Sequence, residues 1–181
     1  MPFNKLKKYP ELLELNHLEE KERKKSLRGI FNRDIADNEC FSFNGNRIYP
    51  IKADGQLNMD REFNHLTTEE FEELDENGKN IHRRVYDPYR SERLHWIKTH
   101  VEQKVIDSDV IIFSVKERNQ SKRVDIVRTY IYNRTRKYVV VLEPQTRNGK
   151  SYYLLTAYYL NKSYGEKQLQ KKLKKKLLEV L

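Results

Sequence analysis

"RVDIVRTYIYNRTRKYVVVLE", Arg123 to Glu143, is the stretch on which the fold turns. Two runs rich in Val, Ile and Tyr flank "NRTR", a polar gap of the length that joins hairpin strands. β-branched and aromatic side chains suit a pleated, half-buried surface. "VIIFSVK" (110–116) precedes this pair and "YYLLTAYYL" (152–160) follows it, across "ERNQSK" and "PQTRNGKS". Connections this short join antiparallel neighbours, so the expectation is a four-stranded antiparallel meander.

The last run is apolar on both sides. Strict alternation puts Tyr152, Leu154, Thr156, Tyr158 and Leu160 on one face and Tyr153, Leu155, Ala157 and Tyr159 on the other. A strand apolar on both faces is covered on both. Most of its tyrosines then belong to the core, and Thr156 and Tyr158, nearest the strand end, are the residues able to reach a site.

Upstream, "YDPYRSERLHWIKTHVEQKV" (86–105) predicts a helix that Asp87 caps and Pro88 opens. Leu94, Ile97, Val101 and Val105 fall on one stripe that also contains Arg90, and Tyr89, Arg93, Trp96 and His100 fall on the next. This helix packs on the meander. Downstream, "EKQLQKKLKKKLLEVL" (166–181) predicts a basic terminal helix. The fold class is therefore α+β, with one unit over 81–181. Residues 1–80 read as a mainly helical region with a hairpin. Two helices are expected across 9–35, broken near Lys24 to Ser26, with a hairpin turning at Asn44-Gly45. A short helix is expected from "HLTTEEFEEL", where Thr67 and Glu70 make a capping box and Leu66 and Phe71 a staple.

The 181-residue chain carries a formal charge of +9, unevenly placed. Residues 1–87 hold 15 Lys and Arg against 18 Asp and Glu, whereas residues 88–181 hold 21 against 9. A positive field interleaved with tyrosines favours nucleic acid over membrane or acidic protein. Lys171, Lys172 and Lys175 of the basic tail are candidates for phosphate contact. Cys40 is the one cysteine, which excludes an internal disulfide and a cysteine-based zinc cage. The opening "MPFNKLKKYP" has no signal-peptide core and no run approaches a bilayer span, so a cytosolic protein without membrane contact is expected.

No Walker lysine loop, G-x-G-x-x-G or G-x-S-x-G occurs, and no two histidines have H-x-x-x-H spacing. "VEQK" (101–104) matches the E-x-K of metal-dependent nucleases in letters but falls late in a helix. No cofactor and no metal site are expected. His, Arg, Tyr and Thr remain, and they suffice to cleave RNA. A base takes the 2′-hydroxyl proton, cations meet the charge growing on phosphorus, and an acid protonates the leaving oxygen. An ordinary imidazole titrates near neutrality, which makes His95 and His100 candidates for acid or base, and Arg90 and Arg93 present paired donors. Their helix faces differ, so one of the two histidines at most moves the proton. Arg128 stands on a strand face with Ile126 and Tyr130, where a charge needs either a carboxylate partner or a cleft.

The second half, over roughly residues 83–175, resembles the superfamily of barnase, EndoU, colicin and RelE-like nucleases, particularly its phage-associated branches. The resemblance rests on "YRSERLHWI", "RTYIY", "KYVVVLE" and "YYLLTAYYL" before a basic tail. It implies a helix followed by a four-stranded antiparallel sheet and RNA cleavage without metal. It also implies site roles for Arg90, Arg93, Arg128 and Thr156. The expectation is a metal-independent ribonuclease acting on single-stranded or structured RNA, as a toxin or prophage effector would. Its acidic N-terminal region is a surface on which a protein inhibitor could dock. A non-catalytic RNA- or DNA-binding module, or a protein-interaction adaptor with a basic tail, remains open on the same residues.

Overall fold

The computed structural model describes residues 3–50, 52–53, 56–74, 76–119, 123–145 and 150–181. Half of each of the expected loops "ERNQSK" and "PQTRNGKS", residues 120–122 and 146–149, lies outside these residues; Glu117 to Asn119, expected as loop, end a strand instead.

The chain opens with a turn of helix, α1 (Phe3–Leu6), and reaches α2 (Glu20–Phe31), whose Leu27, Ile30 and Phe31 are buried. Glu20 and Glu22 stand in its first turn, where negative charge suits the helix dipole. The break expected near Lys24 to Ser26 does not occur. Ser26 is buried and accepts a hydrogen bond from Asn4 Nδ2 at 3.2 Å, so the polar stretch is satisfied within one helix. A π-helical turn follows (Asn32–Ala36), and then β1 (Ser42–Phe43) and β2 (Asn46–Pro50) pair across Asn44-Gly45. Both turn residues have positive φ, 48° and 76°, as this two-residue hairpin requires. Short β3 (Lys52–Ala53) and β4 (Gln56–Leu57) pair with each other.

The next helix is α3 (Met59–Thr67), capped by Asn58, whose side chain accepts from Arg61 N at 2.8 Å. The capping box expected at Thr67 does not form. Thr67 is the last residue of α3, its hydroxyl donates back to Phe63 O at 2.9 Å, and the chain continues as a strand. β5 (Thr68–Leu74) and β6 (Asn80–Tyr86) form a separate two-stranded ribbon, held by cross-strand pairs such as Arg83–Glu73 at 3.2 Å.

The single helix expected over 86–105 is two short ones, α4 (Pro88–Ser91) and α5 (Trp96–Val101). Between them the backbone tightens to i to i+3 bonds, Arg93 N to Arg90 O and Leu94 N to Ser91 O, both at 3.2 Å. Leu94, Ile97 and Val101 are buried together as the stripe predicts, and Asp87 caps α4 through Arg90 N at 3.1 Å. The meander follows as β7 (Val110–Asn119), β8 (Val124–Asn133), β9 (Tyr138–Gln145) and β10 (Ser151–Tyr159), all antiparallel neighbours. Last comes α6 (Ser163–Leu173), shorter than the helix expected to residue 181. Beyond it Leu177 N bonds Ser114 O at 2.7 Å and Leu181 N bonds Ser114 Oγ at 2.9 Å, which draws the tail onto β7.

The fold is α+β, but the sheet has six strands and is mixed, in the order β1-β2-β10-β9-β8-β7. The four-stranded antiparallel expectation describes its middle and one edge. β2 adds to β10 in parallel, through Tyr152↔Ile48 to Leu154↔Pro50. One sheet face carries Ile131, Val140, Leu142 and Leu154 against Leu27 and Phe31 of α2 and Trp96 and Ile97 of α5. This core runs across residue 80. The other face carries Phe113, Val115, Tyr130, Val139 and Val141 against Leu160 and Leu169. Among the described residues no helix is long and apolar enough to cross a membrane.

Candidate functional site

A register shift in β10 makes the site. Leu154 pairs with Leu142 and Thr156 with Val141, so Leu155 is the extra residue of a bulge. Tyr152, Leu154 and Ala157 join the core shared with α2 and α5, while Tyr158 packs toward α6. The single face expected for Tyr152, Leu154, Thr156 and Tyr158 is therefore split. Thr156, opposite Val141, shares the α6 side of the sheet with Tyr158. β2 pairs with β10 only as far as Leu154 among the described residues, and α4 approaches where that pairing ends.

Arg90 comes from α4. Its Nε lies 3.1 Å from Asp87 Oδ2, and its Nη1 donates to His65 O at 3.0 Å and to Thr156 Oγ1 at 3.4 Å. Asp87 thus caps the helix and aims its arginine. Arg90, Thr156, Tyr158, His65, Tyr164 and Lys172 line one open cleft of about 400 Å³ between α3, α4, β10 and α6. Four of these six are sequence candidates.

Lys172 links the cleft to a half-buried network. It donates to Glu117 Oε1 at 2.5 Å and to Tyr130 Oη at 2.7 Å. Tyr130 donates to Glu117 Oε1 at 2.9 Å, and Arg128 Nη1 reaches Glu117 Oε2 at 3.1 Å. Arg128 therefore has its carboxylate partner, and that partner is Glu117 rather than the strand residues Asp125 or Glu143. Burial pushes Glu117 up, but hydrogen bonds from Lys172 and Tyr130 and the charges of Lys172 and Arg128 outweigh it and leave it below the usual carboxylate range. Tyr158 is pushed up to about 12, first by burial, so its phenol keeps its proton at neutral pH. Burial, followed by the charges of Arg84, Arg90 and Arg61, lowers His65 to about 4. His65 is a neutral imidazole among guanidinium groups.

The two histidines named from sequence lie elsewhere. His100 is in the core beneath the opposite sheet face, with Nδ1 on Trp96 O at 2.8 Å and Nε2 on Asn133 Nδ2 at 3.0 Å. Asn133 is an amide donor here, so Nε2 accepts and Nδ1–H donates. His95 precedes α5, 4% exposed, and burial lowers both histidines to about 4. Arg93 is also buried, with its guanidinium 4.1 Å over the Tyr159 ring, which in turn stacks on Tyr89 at 5.8 Å. Lys171 faces a second groove on the other flank of α6, and Lys175 is exposed beyond the helix. Glu102 and Lys104 of "VEQK" pair with each other at 2.7 Å just past α5.

The sequence reading missed His65, Tyr164 and Glu117. His65 lies in "HLTTEEFEEL", read as a helix start, and nothing local tells that α3 ends beside α4. Glu117 gave one signal, its place two strand residues beyond Val115 and so on the face of Arg128 and Tyr130. Among the described residues no group of three or more His, Cys, Asp or Glu is arranged to hold a metal ion. Comparison with family models, with curated proteins and with solved structures finds no match to this chain.

Proposed function

We propose that this cleft is the active site of a metal-independent ribonuclease related to the barnase, EndoU, colicin and RelE-like nucleases, serving as a toxin or prophage effector in the cytosol. The observation that carries the reading is that Arg90, Lys172, Thr156, Tyr158 and His65 line one cleft, with the Thr156 hydroxyl on Arg90. Two cations and a hydroxyl are the donors a phosphodiester needs, and a neutral imidazole and a protonated phenol are an acceptor and a donor of protons.

In this reading the phosphate lies between Arg90 and Lys172, with Thr156 orienting a non-bridging oxygen. His65 takes the proton from the 2′-hydroxyl, whose oxygen bonds to phosphorus. The bond from phosphorus to the 5′-oxygen breaks, and Tyr158 protonates that oxygen as it leaves. The products are a 2′,3′-cyclic phosphate and a 5′-hydroxyl. A bound phosphate would offset the arginine charges that depress His65 and so raise its basicity when substrate is present. Arg128 and Glu117 act at one remove, by fixing Lys172.

The test is a pair of dinucleotides that differ only in the 2′-oxygen of the scissile step. The ribonucleotide should be cleaved and its 2′-deoxy counterpart should be inert. Cleavage of both would mean that water, not the 2′-oxygen, is the nucleophile. Binding of both without cleavage would return the chain to a nucleic-acid-binding module.

A further inference from the structure

α6 separates two grooves, and their contents differ. On one flank is the cleft. On the other is a groove of about 830 Å³ floored by Tyr132 and edged by Arg134, Lys167, Lys171 and Lys174. The three lysines are exposed, and spacings of four and three residues place them along one face of the helix, about 6 Å and about 4.5 Å apart along its axis. The acids nearby are already engaged: Asp109 with Arg134 at 3.3 Å and Glu166 with Lys137 at 3.3 Å. At the first turn of α6 the two come within one residue of each other, Tyr164 lining the cleft and its neighbour Ser163 the second groove. Tyr164 is 57% exposed.

From this geometry we infer that a single strand of RNA leaves the cleft past Tyr164, which stacks on a base, and runs along the far flank of α6 with its phosphates on Lys167, Lys171 and Lys174. This rests on the cleft being the site of cleavage. A strand that bends round one helix end must be flexible, so the substrate is single-stranded over several nucleotides and a continuous duplex does not fit. Stacking on an exposed aromatic is tolerant of sequence, so the track adds affinity and length dependence rather than base specificity.

The test uses the full chain and 5′-labelled strands of three to twelve nucleotides with 2′-O-methyl sugars, which bind but cannot react. Fluorescence anisotropy should show affinity rising with length and then levelling. Replacing Lys167, Lys171 and Lys174 together by Ala should flatten that rise. It should also reduce the slope of log affinity against log salt by about 2, as three lost phosphate contacts on a single strand require. Tyr164→Ala should weaken the longer strands about tenfold. Equal length dependence and salt slope in the triple variant and the wild type would overturn the inference, as would a blunt duplex that binds as tightly as the single strand. Because the labelled strands cannot react, a cleft without activity shows separately, as wild-type protein that binds them but leaves a dinucleotide intact.

Discussion

Thr156 shows how one residue of register decides what a side chain can do. Without the bulge at Leu155 it would point with Tyr152 and Leu154 into the core shared with α2; with it, its hydroxyl meets Arg90. Thr156→Val keeps the shape and removes the hydroxyl. We expect cleavage to fall on the order of 10 to 100-fold, the loss of a donor worth about 1.5 to 3 kcal/mol to a charged group. The melting temperature should change little. His65 gives the matching pH signature. A base lowered to about 4 stays ready as the pH falls past the ordinary histidine range, so the acid limb of kcat/KM should lie near pH 4 rather than 6.5. A limb near 6.5 would point to an unperturbed imidazole instead. His95 and His100 act on stability. Their folded values of about 4 lie below the ordinary 6.5, so the unfolded chain binds more protons between these limits and stability rises with pH there. Full stability holds above pH 6.5 and is lost toward pH 4, by up to about 3 kcal/mol for each histidine. Urea denaturation of wild type and His100→Gln across this window should show the variant less sensitive to acid.

At the scale of elements, the strands from Val110 onward were legible because alternation, β-branching and short gaps agree with the pairing. β5 was not. Thr67, Glu70 and the run of glutamates satisfy helix rules locally, yet Glu73 pairs with Arg83 and the chain gains a ribbon. Pairing with residues six to eighteen positions away outweighs a capping preference worth about 1 kcal/mol. The helix over 86–105 was right in Leu94, Ile97 and Val101 of its stripe and in its Asp87 cap, but wrong at Val105, which lies past α5, and in continuity, since no residue in "SERLH" marks the tightened turn. The parallel addition of β2 was invisible because it depends on where the chain returns, not on what β2 contains. α6 has one fully buried leucine, Leu169, and its ionic tie through Lys172 to Glu117 should therefore matter to its docking. Glu117→Gln leaves Lys172 and Arg128 facing a neutral amide. We expect about 1 to 3 kcal/mol of destabilisation, with amide exchange quickening first in 163–173. Uniform loss of protection across the sheet would show that the network serves the whole core instead.

Across the whole molecule, the basic second half supplies the lysines of both the cleft and the second groove, all from α6 and the residues that flank it. The expected boundary at residue 80 meets a core that α2 and α5 build together on one sheet face. A fragment 81–181 would expose Trp96, Ile97, Ile131, Val140 and Leu142 on that face. We expect it to be unfolded by circular dichroism at 25 °C; a cooperative melt would show that the second half folds alone. The central claim is RNA cleavage by the 2′-oxygen at the Arg90 cleft. Purified full-length chain should be incubated with RNA in excess chelator, beside Arg90→Ala protein prepared identically, and the new ends read by mass spectrometry. The account predicts 2′,3′-cyclic phosphate and 5′-hydroxyl ends from the wild type and at least a 100-fold loss in the variant, on the order of 3 kcal/mol of transition-state stabilisation. Intact RNA, or cleavage that disappears in chelator and returns with magnesium, would contradict it.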